Sequence, residues 1–108
     1  MSDAPRQRRV DFDRINAAAL RNAETIASSL LPDGRRNGIE WTARNPRRDD
    51  RRPGSCRVNL STGKWADFAI DNARGGDLVS LTAYVCDLSQ RDAALKLADS
   101  LGVDPFIG

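Results

Sequence analysis

From Gly63 to Leu81 the chain reads G-K-W-A-D-F-A-I-D-N-A-R-G-G-D-L-V-S-L, and the pattern of the sequence changes inside this stretch. Between Lys64 and Ile70, the side chains of Ala66, Phe68 and Ile70 fall on one face and those of Trp65, Asp67 and Ala69 on the other. A period of two, rich in aromatic and branched residues, predicts a strand with one buried face. Asp71, Asn72 and the pair Gly75-Gly76 interrupt it, because glycine tolerates backbone angles that cost other residues steric strain. Asp77 falls in the first turn of a helix, where a carboxylate suits the positive end of the dipole, and Leu78, Leu81, Tyr84 and Val85 recur at helical spacing. The stretch predicts strand, glycine turn, helix.

Upstream, Arg35-Arg36-Asn37-Gly38 reads as a turn, after which Ile39, Trp41 and Ala43 alternate with Glu40, Thr42 and Arg44 as a first strand. Asn45 to Gly54, N-P-R-R-D-D-R-R-P-G, has two prolines and no apolar residue, so it predicts an exposed loop. Ser55 to Leu60 is a second strand that buries Cys56, Val58 and Leu60, and Ser61-Thr62-Gly63 closes a hairpin onto the strand from Lys64. Nearer the N-terminus, Phe12, Ile15, Ala19, Ala23, Ile26 and Leu30 form one stripe of an amphipathic helix from Asp11 to Leu31. Asp11 or Asp13 caps its start and Pro32-Asp33-Gly34 stops it; the stripe serves either the core or a docking partner. Met1 to Val10, with Arg6, Arg8 and Arg9, reads as a mobile basic tail, either simply solvated or holding phosphate.

Downstream, helices are predicted over Asp77 to Cys86 and Gln90 to Leu101. Ser89 with Asp92 three residues on opens the second, and Gly102 closes it. Phe106 and Ile107 are placed to fold back onto the core. The predicted fold class is α+β: an N-terminal helix, a small three-stranded antiparallel sheet and two C-terminal helices, with residues 11 to 108 as a single module behind the tail.

A chain of 108 residues is one domain's worth and can bury roughly two-thirds of its unfolded surface. It has no histidine, which removes the commonest general base and a usual zinc ligand. Cys56 and Cys86 form either one disulfide or two free thiols; with no signal peptide and no long apolar run, the reading is free thiols, a cytoplasmic location and no membrane span. The net charge of +2 is unevenly spread: residues 35 to 57 carry +5 and residues 58 to 108 carry −3.

Five pieces occur in a telling order: Asn45-Pro46-x-Arg48, Pro53-Gly54-Ser55-Cys56-Arg57-Val58, Gly63-Lys64-Trp65, Gly75-Gly76-Asp77 and Ala94-x-x-x-Ala98-x-x-x-Gly102. Over about residues 12 to 102 the chain resembles the N-terminal zinc-binding domain of DnaG-type primases and of the related primase-helicases of phages, plasmids and other mobile elements. The resemblance implies a zinc-ribbon-like sheet. Where that family carries Cys and His ligands, however, this chain has Asn45 and Arg48 in the first loop and about Asp67 and Asp71 after the third strand. Arginine cannot ligate zinc, so the implied domain is metal-free and needs no cofactor. Zinc supplies on the order of 10 kcal/mol in small zinc-dependent domains. Burial of Trp41, Trp65 and Phe68, each worth roughly 1.5 to 3 kcal/mol, is the expected replacement, and Arg48 is expected to pair with Asp67 or Asp71 across the former metal position.

Function then rests on arginine. Arg44, Arg47, Arg48, Arg51, Arg52 and Arg57 lie on or beside one loop, with Lys64 and Trp65 on the neighbouring hairpin. Guanidinium forks suit phosphate and a partly exposed Trp65 could stack on an unpaired base, which predicts nucleic-acid binding, with single-stranded DNA favoured. The opposing reading is a solvated loop, partly neutralised by Asp49 and Asp50, beside two core tryptophans. Gly75-Gly76 reads as a structural turn rather than a phosphate cradle, and Lys64, Asp67 and Asp71 as ion-pairing groups rather than a Mg²⁺ site, so no catalysis is expected. The resemblance implies an accessory module of a mobile-element or phage replication system, working with a replicative polymerase, primase or helicase. The alternative is a protein-interaction module that binds a polymerase, a helicase or a host defence complex.

Overall fold

The structure, a computed structural model, describes residues 9–44, 55–68 and 73–107. The fold is α+β. Along the chain come α1 (Phe12–Arg21), α2 (Ala23–Leu30), β1 (Arg35–Asn37), β2 (Glu40–Ala43), β3 (Cys56–Asn59), β4 (Trp65–Asp67), β5 (Arg74–Gly75), α3 (Leu78–Cys86) and α4 (Gln90–Leu101). The strands form one antiparallel sheet in chain order, β1-β2-β3-β4-β5. Ile15, Ala19, Leu78, Leu81, Ala93, Ala94, Leu97 and Ala98 fill the helical core, and it continues into the inner face of the sheet through Ala43, Cys56, Val58 and Trp65.

The helix predicted from Asp11 to Leu31 is two helices. Asn22 breaks it at φ −122° and ψ 30°, and its side-chain Nδ2 donates to the Ala18 carbonyl at 3.0 Å, supplying a local alternative to the helical ladder. Asp11, rather than Asp13, is the cap: its carboxylate accepts from the Arg14 N–H at 3.0 Å. Asp77 likewise sits one position earlier than expected, as the N-cap of α3, accepting from the Ser80 N–H at 2.8 Å. Asn16 on α1 accepts from the Val79 N–H, which binds the first turn of α3 to α1. Ser89 caps α4, and Gly102 ends it in the left-handed conformation at φ 67°.

The sheet has five strands among the described residues, where three were predicted. The three predicted strands are β2, β3 and β4. Arg35 to Asn37 is an edge strand instead of a turn, and the reversal lies at Gly38-Ile39, with Gly38 at φ 62° and Ile39 exposed. Its all-polar R-R-N sequence carries no alternation to reveal it, and charge is what a short edge strand tolerates best. At the other edge Gly75 belongs to β5, opposite Trp65.

Both tryptophan rings rest on glycine. A Cβ on Gly34 would overlap Nε1 of Trp41, and one on Gly75 would overlap both the Ser80 hydroxyl and the indole of Trp65. The chain ends also meet: Val10 bridges to Phe106, Asp11 N–H donates to the Pro105 carbonyl at 2.8 Å and Ile107 N–H to the Arg9 carbonyl at 2.9 Å. Arg9 and Val10 are therefore part of the fold, unlike the tail predicted for them; residues 1–8 lie outside the described residues. Cys56 is buried, Cys86 half-buried, and neither is in a disulfide.

The indole seat on Gly75 gives a test. Gly75→Ala should destabilise the protein by about 1 to 3 kcal/mol, the usual cost of overpacking a filled core. Gly76→Ala, where an added Cβ meets nothing within 4 Å, should change stability by less than about 0.5 kcal/mol. Urea denaturation followed by tryptophan fluorescence measures both.

Candidate nucleic-acid interface

Side chains alternate across a strand, and residues directly paired between strands share a face. The register places Trp41, Val58, Trp65 and Gly75 in one inward row and Ala43, Cys56 and Asp67 in another. The residues between them point outward. One row therefore crosses the whole sheet: Arg35 on β1, Thr42 on β2, Arg57 on β3, Ala66 on β4 and Arg74 on β5. The three arginines are exposed. Strands lie about 4.8 Å apart, so successive arginines in this row stand roughly 10 Å from one another, separated by small side chains.

Phe68 lies beside this row. It is 72% exposed, and the Arg57 guanidinium carbon sits 5.3 Å from its ring centroid. That is cation–π distance, and it holds the Arg57 side chain against the sheet. An exposed aromatic ring beside a guanidinium group can stack on a flat π-system while the neighbouring charge meets an anion.

Of the residues singled out by sequence, Arg57 lies at the centre of this face and is exposed. Lys64 is exposed, immediately precedes β4, accepts from the Asn59 N–H through its carbonyl and shares the outward parity of Ala66. Arg44 follows β2 with the outward parity of Thr42, and its Nε stands 3.8 Å from Asp33 Oδ2; this exposed pair dilutes its charge without burying it. Arg47, Arg48, Arg51 and Arg52 lie outside the described residues, as do Asn45 and Asp71, so the pairing expected of Arg48 is not described.

Trp65 corrects the prediction. It is only 5% exposed, on the inner face, tilted against Tyr84 with ring centroids 5.1 Å apart, and its Nε1 donates to the Ser80 hydroxyl at 2.9 Å. It cannot stack on a base from the solvent side. Phe68, assigned to the core by the sequence reading, is the exposed ring. Alternation says that Trp65 and Phe68 are on opposite faces but not which face is buried. The larger ring with an N–H to satisfy takes the inside because Ser80 provides its acceptor and Gly75 its space. Trp41 keeps its expected packing role: it is half-buried against the core, with Nε1 donating to the Leu31 carbonyl at 3.0 Å.

Arg35 and Arg74 were missed because their strands were. Both had been read into turns, where side-chain direction has no period. Gly75-Gly76 is not the turn expected of it: Gly75 lies in β5 and gives Trp65 its space, while Asp77 occupies the start of α3. Lys64 and Asp67 have opposite parity on β4, Lys64 exposed and Asp67 2% exposed, which separates two members of the set considered for Mg²⁺. Cys56 and Asp67 are paired across β3 and β4, and among the described residues no group of three or more His, Cys, Asp or Glu side chains gathers. Among the described residues no helix is long and apolar enough to cross a membrane.

The reversal of the two rings is open to measurement. Trp65→Ala should cost about 3 to 5 kcal/mol or prevent folding, as emptying a buried aromatic site does, whereas Phe68→Ala should leave the urea midpoint within about 0.5 kcal/mol of the parent. No known protein-family model, curated protein or solved structure matches the chain.

Proposed function

We propose that the protein is a non-catalytic module that holds unpaired nucleic acid, single-stranded DNA before RNA, on the outer face of its sheet. The observation that carries this reading is the cross-strand row Arg35, Thr42, Arg57, Ala66, Arg74 with the exposed Phe68 ring beside it. Arginine forks bind phosphate oxygens in pairs. Spacing of roughly 10 Å suits a flexible single strand, which can bring phosphates to fixed cations, better than a duplex whose phosphates are rigidly placed. Phe68 adds a stacking surface that only an unpaired base can reach.

The resemblance to primase zinc-binding domains supports the same reading and suggests the setting: a zinc-ribbon-like scaffold without metal, serving a mobile-element or phage replication system beside a polymerase, primase or helicase. Exposure of Phe68 also favours a second reading, in which this face docks a protein partner. The two differ in their response to salt.

The test is fluorescence anisotropy with a labelled oligothymidylate over a salt series. Contact with about four phosphates, from Arg35, Arg57, Arg74 and Lys64, should give log affinity falling with log salt at a slope of about −3, since each single-strand phosphate contributes about −0.7. The double variant Arg57→Ala/Arg74→Ala should reduce the slope to about −1.4. Absence of binding at low salt, or a flat salt response, would overturn the reading in favour of the protein-docking one.

A further inference from the structure

The outer face of the sheet carries more than the arginine row. Two residues further along the strands, a second outward row holds Asn37 on β1, Glu40 on β2 and Asn59 on β3, and reaches Lys64 just before β4. Glu40 is the single acid among the described outward positions of the sheet. It is half-exposed, and among the described residues it forms no ion pair. Its direct partners across the strands, Asn37 and Asn59, are uncharged, and Lys64 stands two strands away, about 10 Å. Arg35 and Arg57 are its diagonal neighbours, yet Glu40 pairs with neither. A carboxylate therefore borders the cationic track along its β1 and β2 side.

We infer that Glu40 is the residue by which this face discriminates against duplex nucleic acid; the inference rests on the reading of the sheet face given above. The row that holds Glu40 runs about 7 Å from the arginine row, two residues at strand rise. A duplex laid along the arginines presents its second phosphate line about 6 Å away, across the minor groove. That line falls over Glu40, and like charges a few ångströms apart repel. On the opposite flank the second line would meet Phe68, whose side chain offers a phosphate no donor and whose own N–H is taken by the Ser55 carbonyl at 2.9 Å. A single strand has one phosphate line. It follows the arginines, bends toward Lys64 and leaves the carboxylate to one side. Arginines attract one strand or two, so discrimination falls to a repulsive group placed where only the second strand arrives.

Anisotropy titrations at low salt, with a labelled oligothymidylate and with the same oligomer annealed to its oligoadenylate complement, test this. The parent protein should bind the single strand more tightly. Glu40→Gln keeps the size of the side chain and has no ion pair to lose, so it removes charge alone. It should raise duplex affinity about fivefold, the effect of one unit charge about 4 Å away in water. Affinity for the oligothymidylate should change less than about twofold. Asp99→Asn removes an equal charge from the exposed side of α4 and should alter neither, which separates a local effect from a change in net charge. An unchanged duplex affinity, an equal gain for both forms, or the same gain from Asp99→Asn would overturn the inference and leave the sheet-face reading standing. So would a parent protein that binds the duplex as tightly as the single strand. Failure of the parent to bind the oligothymidylate in a salt-dependent way would instead remove that reading, and this inference with it.

Discussion

The contact between the Trp65 ring and Gly75 organises the sheet side of this molecule. The indole lies so close to the Gly75 backbone that no other residue fits, and its N–H passes to Ser80, whose hydroxyl in turn donates to Asp77. One ring thus joins β4, the edge strand β5 and the first turn of α3. Trp41 repeats the arrangement at the other side, against Gly34, with its N–H on the Leu31 carbonyl at the end of α2. A buried indole is stabilising only when its N–H is satisfied, and each of these finds an acceptor at a helix end where unpaired polar groups are available.

These two seats determine what faces outward. Side chains in a strand have a period of two, so fixing Trp41 and Trp65 inward forces Thr42, Arg57 and Ala66 outward, and pairing carries Arg35 and Arg74 with them. A slip of one residue in β4 would bury Phe68 and expose Trp65, and would scatter the arginine row. The outward arginine row is therefore a consequence of core packing; no separate arrangement is needed to create it. Phe68 contributes little to the core, which leaves it available as a surface ring restrained by Arg57.

The sequence disclosed what rests on period and punctuation. Alternation located β2, β3 and β4, and helical spacing with Ser89 and Gly102 bounded α4 to the residue. What it hid depended on tertiary choice. The polar β1 has no apolar period, β5 is held by a ring ten residues away in sequence, and the helix break at Asn22 comes from one side-chain amide. The sheet face suffered most from this. The dense arginine run of residues 44 to 57 is conspicuous in composition, whereas the row across the sheet draws on Arg35, Arg57 and Arg74, which span 39 positions and come together only through strand order. The signal that could have found them was the pair of glycines before α3: asking why Gly75 must be glycine leads to the indole, and the indole settles the parity of β4.

Charge placement reinforces the same face. Within α4 the charges balance, Arg91 and Lys96 against Asp92 and Asp99, so among the described residues the acidic excess of residues 58 to 108 lies mainly at helix ends, in Asp77, Asp87 and Asp104, while α4 itself packs on α1 and α3. At physiological ionic strength a fixed charge is screened over about 8 Å, so a row of exposed arginines keeps its local field even though the whole chain is nearly neutral. A nearly neutral protein can then present a locally cationic surface without the indiscriminate binding that a uniformly basic one would show. The local charge follows from strand order: the arginine-rich segment builds β1 and β2 and enters β3, and Arg74 returns on β5 to complete the row.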